Sequence, residues 1–217
     1  MEPLEWAKFV VRSRSDADYP AALSVLSSKA EHGDPDAECY LGLLYARGQA
    51  VARDFRLARS WLERSVGHGN TDAMYFLGKI YVRGYGVDAD SKKAAELFEI
   101  PADSGDPRAM YALGLLYLDG NGVGRDLKKT YCLMLDAADL GHIEAQFVLG
   151  QLYKTGAGTE KDMDQAIRWL SRAARNGHKG SQIVLGDMYS TGDGVEKDPD
   201  ESCRWYDMAE GSVTSDR

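Results

Sequence analysis

The stretch AMYALGLLYLDGNGVGRD, from Ala109 to Asp126, contains the pattern that decides the fold. Within it, Leu113-Gly114 is followed by a Tyr three residues after the Gly and by another Gly three residues further on. The pattern occurs five times at an interval of 36 residues, with no insertion or deletion between copies. The other copies start at Leu41, Leu77, Leu149 and Leu185. A fixed period of this length predicts stacked supersecondary units instead of one globular core.

Each unit is expected to contain two helices, called here helix A and helix B. In the first copy, helix A is predicted from about Pro35 to Arg47 and helix B from about Asp54 to Val66. Leu41 and Tyr45 lie four residues apart and therefore share one face of helix A. Gly42, between them, costs about 1 kcal/mol relative to Ala inside a helix. Its recurrence in every copy predicts that helix B crosses helix A closely at this point.

Turn and capping residues separate the two helices of each unit. Gly48 and its equivalents permit a positive φ at the end of helix A, and a second turn Gly follows in every copy except the first, which has Ala50. An Asp then recurs where its side chain can cap helix B. These residues are Asp54, Asp90, Asp126, Asp162 and Asp198.

The period divides the chain into one solenoid domain with a degenerate capping repeat at its N-terminus. The predicted boundaries are 1–35 for the capping repeat, 36–71, 72–107, 108–143, 144–179 and 180–211 for repeats 1 to 5, and 212–217 for a tail. In the capping repeat, Phe9 falls in the phase of the repeated Tyr, and Ala22 in the phase of Ala58. Divergence is expected where a terminal unit must face water.

The last helix B lacks a following repeat, so parts of Trp205, Tyr206 and Met208 are expected to be exposed. Two interpretations remain open. The end is a tolerated apolar surface, or it forms a contact with a partner or with a second copy in a homodimer.

The composition excludes several classes of protein. A net charge of −8 and a pI near 5.1 argue against nucleic-acid binding and favour a basic partner. The first residues lack the basic and apolar segments of a signal peptide, and no apolar run is long enough to span a membrane. The three cysteines, Cys39, Cys132 and Cys203, are expected to be reduced thiols of a cytoplasmic protein.

The sequence contains no pattern that indicates catalysis, a cofactor or a metal. The four histidines, His32, His68, His142 and His178, each fall in a different junction between repeats, too far apart to share a metal ion. No Cys-x-x-Cys, phosphate-binding loop, Gly-x-Ser-x-Gly or Ser-x-x-Lys occurs. We therefore expect a protein that is not an enzyme and needs no cofactor.

The repeated string Ala-x-x-x-Leu-Gly-x-x-Tyr-x-x-Gly-x-Gly-Val-x-x-Asp resembles the Sel1-like repeat family, whose members are relatives of tetratricopeptide repeats. The resemblance covers residues 36–210 and implies an all-α fold, a right-handed α/α superhelical solenoid with A helices on its concave side. It also implies adaptor, scaffold or inhibitor roles; bacterial members resemble modules of signalling, host contact and immunity against secreted toxins. Thr159 and Pro101 depart from the pattern, and Pro101 predicts a kink or an early end of its helix.

If helix A lines the concave side, as the resemblance implies, its exposed positions form a stripe of aromatic and apolar residues flanked by charges. Such a stripe is typical of a surface that binds a peptide or a helix. The alternative is that its aromatic residues only pack between repeats. The candidate residues are Tyr75, Lys79, Val82, Arg83, Tyr111, Leu115, Leu118, Asp119, Phe147, Gln151 and Lys154.

The sequence thus predicts a non-enzymatic adaptor or scaffold that binds a protein or peptide in the concave groove. An immunity protein that blocks a secreted bacterial toxin is the alternative within the same class. A hydrolase is the alternative from a different class, and it is disfavoured because no nucleophile or base motif is present.

Overall fold

The computed structural model describes residues 2–13 and 18–211; Met1 and the predicted tail lie outside the described residues. Over the described ranges the regular structure consists of twelve α-helices and no strand. The helices are α1 (Pro3–Ser13), α2 (Tyr19–Glu31), α3 (Pro35–Arg47), α4 (Phe55–Gly67), α5 (Thr71–Arg83), α6 (Ser91–Asp103), α7 (Pro107–Asp119), α8 (Leu127–Asp139), α9 (Ile143–Thr155), α10 (Met163–Arg175), α11 (Lys179–Thr191) and α12 (Pro199–Glu210). None of them is long and apolar enough to cross a membrane.

The chain divides into two compact units, one extending to Ser104 and the other beginning at Gly105. The first unit contains the helix pairs α1–α2, α3–α4 and α5–α6, and the second contains α7–α8, α9–α10 and α11–α12. Within each unit, helix B of one pair packs on helix A of the next, as α4 packs on α5 and α8 on α9. This order is that of a tandem-repeat α solenoid, as the period predicts.

The helix boundaries of the repeats follow from local capping. Helix α3 spans Pro35–Arg47, as predicted, and α4 begins one residue after Asp54. The Asp54 carboxylate accepts hydrogen bonds from the backbone N–H groups of Arg56, at 2.8 Å, and Leu57, at 3.0 Å. The predicted capping role of the recurring Asp is therefore confirmed.

The glycines inside the A helices lie where helix B crosses closely. A Cβ added at Gly78 would lie 2.5 Å from Cε1 of Phe98, and one at Gly150 would lie 2.7 Å from Cγ of Leu170. Both distances are shorter than the contacts that nonbonded carbon atoms make in folded proteins. The prediction that each of these glycines makes room for a helix B side chain is confirmed.

A buried carboxylate distinguishes the first repeat from later ones. Glu38 is fully buried, with Arg64 Nη2 2.9 Å from one carboxylate oxygen and His68 Nδ1 2.9 Å from the other. Arg64 also donates to the carbonyl oxygen of Ala30, at 3.2 Å. In the fourth repeat, the residue equivalent to Glu38 is Gln146, and the residue equivalent to Ala30 is Ala138. There the Gln146 side-chain amide donates directly to the carbonyl oxygen of Ala138, at 3.1 Å.

Pro101 does not end its helix early. Helix α6 continues to Asp103 and is 13 residues long, the same length as α5. The proline lies in the last turn, where the only helical bond it removes is that to the carbonyl of Leu97, and its side chain is buried. The prediction of an early end was wrong, because the proline falls in the last turn, where few helical hydrogen bonds remain to be broken.

The two ends of the chain differ in part from expectation. Helix α2 is in phase with the other B helices, with Ala22 fully buried, but Phe9 on α1 is 57% exposed. At the other end, Met208 is exposed, whereas Trp205 is buried and Tyr206 is half-buried, its hydroxyl donating to Asp187 at 2.6 Å. The expectation of exposure was therefore wrong for Trp205, which belongs to a buried apolar cluster with Leu170 and Leu185.

Candidate protein-binding surface

The eleven candidate residues lie on helices A of both units, and we call them the A-helix surface. Four of them, on α5, belong to the first unit, and seven, on α7 and α9, belong to the second. The most exposed are Lys79, Arg83 and Asp119. The half-buried ones are Tyr75, Val82, Tyr111, Leu115, Leu118, Phe147, Gln151 and Lys154.

In the first unit, Tyr75 has a packing role. Its ring lies edge-on to Phe76, with centroids 5.2 Å apart, and 6.0 Å from the ring of Phe98 on α6. The Lys79 ammonium lies 5.4 Å from the centroid of the same ring. Tyr75 therefore links α5 to its partner helix and also positions a cation on the surface.

In the second unit, two aromatic residues of the A-helix surface contact the histidine at the junction with the next repeat. The ring of Tyr111 stacks on His142, with centroids 4.6 Å apart, and Phe147 lies 4.5 Å from His178. Burial raises the pKa of the Tyr111 hydroxyl. These rings contribute to packing between repeats, and each keeps part of its surface exposed.

The two histidines are N-caps, a role the sequence analysis did not assign. The backbone N–H of Ala145 donates to His142 Nδ1 at 3.3 Å, and that of Ser181 donates to His178 Nδ1 at 3.0 Å. Burial lowers the pKa of both imidazoles. Each must carry no proton on Nδ1 to accept its bond. The signal was available, because His142 and His178 occupy the phase of the caps Asp34, Asn70 and Asp106.

The charges and polar groups of the second unit are partly engaged within the chain. Lys154 Nζ lies 3.0 Å from a carboxylate oxygen of Asp193. The carbonyl oxygen of Leu118 accepts a bond from Arg125 Nε at 3.1 Å. Asp119 is exposed beside them. The A-helix surface of this unit thus presents an exposed carboxylate and apolar side chains.

The first unit contains a depression that the sequence analysis did not predict, with a volume of about 570 Å³. Of the candidate residues, only Lys79 lines it. The other lining residues are Leu43, Ala46, Arg47, Arg53, Phe55, Leu62, Phe76, Ile80 and Tyr85. Phe55 begins α4 and Tyr85 lies in the turn after α5, where the repeat pattern gave no reason to look for a binding residue. The available signal was that each is the one aromatic residue at its position among the five copies.

The described residues contain no group of three or more His, Cys, Asp or Glu side chains arranged to hold a metal ion. The hydroxyl groups of Tyr131 and Tyr153 form a hydrogen bond at 2.8 Å. Burial, as the main cause, and this hydrogen bond, as the second, raise the pKa of Tyr153 to about 12. Neither residue belongs to the A-helix surface.

The Sel1 repeat model matches the chain at residues 35–70, 71–106, 107–142, 143–178 and 180–210. No curated protein sequence matches the chain significantly. Among solved structures, the chain is similar to c5321, a protective antigen of uropathogenic Escherichia coli with an SLR fold, at 36% identity and a TM-score of 0.83. That match covers 88% of this chain but only 41% of the antigen, so the chain spans about two fifths of its length.

A Sel1 repeat protein from Oxalobacter formigenes is similar at 32% identity and a TM-score of 0.81, covering 89% of this chain and 79% of that one. The immunity protein Pa5087 from Pseudomonas aeruginosa shares the fold at 23% identity and a TM-score of 0.53, covering 81% of this chain and 64% of that one. Sel1 repeats are generally a non-catalytic, protein-interaction fold. With five matched repeats over most of its length, the chain belongs to the Sel1 repeat family.

Proposed function

We propose that this protein is a non-enzymatic adaptor that binds another protein or a peptide through its A-helix surface. The observation that carries the proposal is the exposure of Lys79, Arg83 and Asp119 beside half-buried apolar side chains on the same helices. An apolar centre with a charged rim is the common anatomy of protein interfaces. The half-buried side chains, which are already held by packed helices, also lose little conformational freedom on binding.

The proposal is tested by affinity capture from a lysate of the source organism with a variant that alters this surface. Arg83→Glu combined with Asp119→Lys reverses two exposed charges, one in each unit, and leaves the net charge unchanged. Its matched control, Glu96→Lys with Arg168→Glu, makes the same exchange at exposed positions of two B helices. Circular dichroism and thermal melting establish that both variants fold.

We expect the wild type and the control to capture the same partner and the A-helix variant to lose most of it. Equal capture by the A-helix variant, or loss only in the control, would place binding elsewhere on the chain. The captured protein also separates the alternatives. A toxin whose activity this protein inhibits would identify an immunity protein, whereas a signalling or assembly protein would identify an adaptor.

A hydrolase remains the alternative from a different class. It would require turnover that survives purification and is abolished by one substitution, and no group of residues described above motivates a choice of substrate.

A further inference from the structure

The depression of the first unit lies between the end of α3, the start of α4 and the helix α5. Its volume of about 570 Å³ is in the range of sites that accept a small ligand or a few side chains of a peptide. Leu43, Phe76 and Ile80 supply apolar surface inside it. Because these residues come from two successive A helices, the depression is a product of repeat packing within this unit.

One wall of the depression is a stacked aromatic pair. The rings of Phe55 and Tyr85 lie 4.8 Å apart with an interplanar angle of 15°, and Tyr85 is 46% exposed. The backbone that follows Tyr85 lies close to Phe55, since a Cβ added at Gly86 would lie 2.8 Å from Cβ of Phe55. The pair therefore presents an aromatic surface to solvent, which is a favourable anchor for an apolar side chain.

Three cations surround this apolar surface, and no carboxylate is found among its described lining residues. The Arg53 guanidinium lies 5.6 Å from the Phe55 ring centroid, and Lys79 lies 5.4 Å from that of Tyr75. Arg47 also lines the depression and donates to the carbonyl oxygen of Val11 at 3.3 Å. In a chain with a net charge of −8, this is a local concentration of positive charge.

The combination of aromatic pair and cations is confined to one place in the repeat series. The positions equivalent to Phe55 are occupied by Ser91, Leu127, Met163 and Pro199. Those equivalent to Tyr85 are occupied by Gln49, Asn121, Ala157 and Asp193. The Phe55 position packs near the turn glycine of the next repeat in other copies too, where Leu127 lies close to Gly158 and Met163 to Gly194. The repeat fold therefore accepts an aliphatic side chain there, and the aromatic pair is particular to this place.

We infer that this depression binds an acidic peptide segment of a partner protein, with one aromatic or large aliphatic side chain against Phe55 and Tyr85 and carboxylates on Arg47, Arg53 and Lys79. Arginine pairs with carboxylates through two parallel hydrogen bonds and stacks on rings, so both parts of the segment are recognised. The inference rests on the proposed function, since it names the kind of segment that the partner presents. It also differs from the basic partner that the net charge favours, because the local charge at the depression has the opposite sign.

The test is selection of binders from a random dodecapeptide library displayed on phage, with the full chain immobilised. We expect the selected peptides to place Asp or Glu around a Phe, Trp, Tyr, Leu or Ile. As synthetic peptides they should lose affinity by about tenfold with Arg53→Glu or with Tyr85→Ser. Both positions are exposed, so both variants are expected to fold.

The matched control is Arg168→Glu, which makes the same charge change in another basic depression, on α10, lined also by Arg172 and Arg175. Its affinity for the peptides should stay within about twofold of the wild type. Failure to select acidic peptides, or equal loss with Arg168→Glu and Arg53→Glu, would overturn the inference. If the peptides lost affinity only for the Arg83→Glu/Asp119→Lys variant, the inference would be overturned and the proposed function supported.

Discussion

Gly78 of α5 lies so close to Phe98 of α6 that a single added carbon would fall 2.5 Å from the Phe98 ring. Phe98 is fully buried and its ring is rigid, so it cannot move aside. At Gly114 the equivalent contact is with Cε of Met134, at 2.7 Å, which is the free end of a flexible side chain. An added side chain at this glycine position is therefore expected to be tolerated at Gly114 and not at Gly78.

We expect Gly78→Ala to lower the free energy of unfolding by about 1–2 kcal/mol, because overpacking outweighs the gain in helix propensity. Gly114→Ala should stay within about 0.5 kcal/mol of the wild type, since Met134 can adopt another rotamer. The control is Gly67→Ala at the end of α4, which would meet no atom within 4 Å and should stabilise the chain slightly. Urea unfolding measures all three, and equal effects at Gly78 and Gly114 would contradict this explanation.

Ala50 adopts a φ of 62°, where the other repeats have glycine. A residue with a Cβ is strained in this left-handed conformation by about 1 kcal/mol. Ala50→Gly should therefore stabilise the chain by about 0.5–1 kcal/mol, less the added entropy of the unfolded chain. Ala52→Gly, in the same turn and without positive φ, is the control and should be neutral or slightly destabilising. Stabilisation by both variants would show that strain at Ala50 is not the cause.

Glu38 is buried and contacts Arg64 and His68, whereas a glutamine takes its place in the last two repeats. Glu38→Ala should destabilise the chain by about 2 kcal/mol, because it leaves the Arg64 charge without this partner; the half-exposure of Arg64 keeps the loss moderate. Glu38→Gln should cost less than about 1 kcal/mol, since Gln146 and Gln182 show that the site accepts an amide. Thermal unfolding of both variants measures the difference, and an equal loss for both would refute it.

Stability should fall in acid because of His142 and His178. Burial lowers the pKa of both in the folded chain, so the unfolded chain binds more protons as the pH falls. The stabilisation is complete above the unfolded pKa of about 6.5 and is lost as the pH falls through the lower folded pKa. For His142, the nearby Glu144 opposes the shift without reversing it.

We therefore expect the urea midpoint to be lower at about pH 5 than at about pH 7.5. His142→Asn combined with His178→Asn should remove much of the difference, because Asn70 caps α5 with a side chain that does not titrate. The remaining histidines, His32 and His68, are present in both proteins and serve as the internal reference. An unchanged pH dependence in the double variant would show that these caps are not responsible.

The fold was predictable because its determinants are local and repeated. The spacing of Leu41, Gly42 and Tyr45 and the capping role of Asp54 each concern residues within one helix pair. The stack of Phe55 on Tyr85 joins residues 30 positions apart through the packing of a turn on a neighbouring helix. A repeating pattern describes what the copies share, so it could not predict a contact that only one pair of repeats makes.

The candidate site was predictable only in part for the same reason. The phase of helix A identified exposed residues such as Lys79 and Asp119. It did not identify which rings also pack, because the stacking of Tyr111 on His142 depends on the path of the chain between repeats. Nor did phase reveal Trp205 as buried, since the neighbouring helices already cover it without a further repeat.

The most direct test of the binding surface is photo-crosslinking at single sites in cells of the source organism. A benzoylphenylalanine placed at Arg83 or Asp119 reports on the A-helix surface, and one placed at Glu96 or Asp136 reports on exposed positions of the B helices. We expect one protein to be covalently captured from Arg83 and Asp119 and not from Glu96 or Asp136. Capture of that protein only from Glu96 or Asp136 would contradict it.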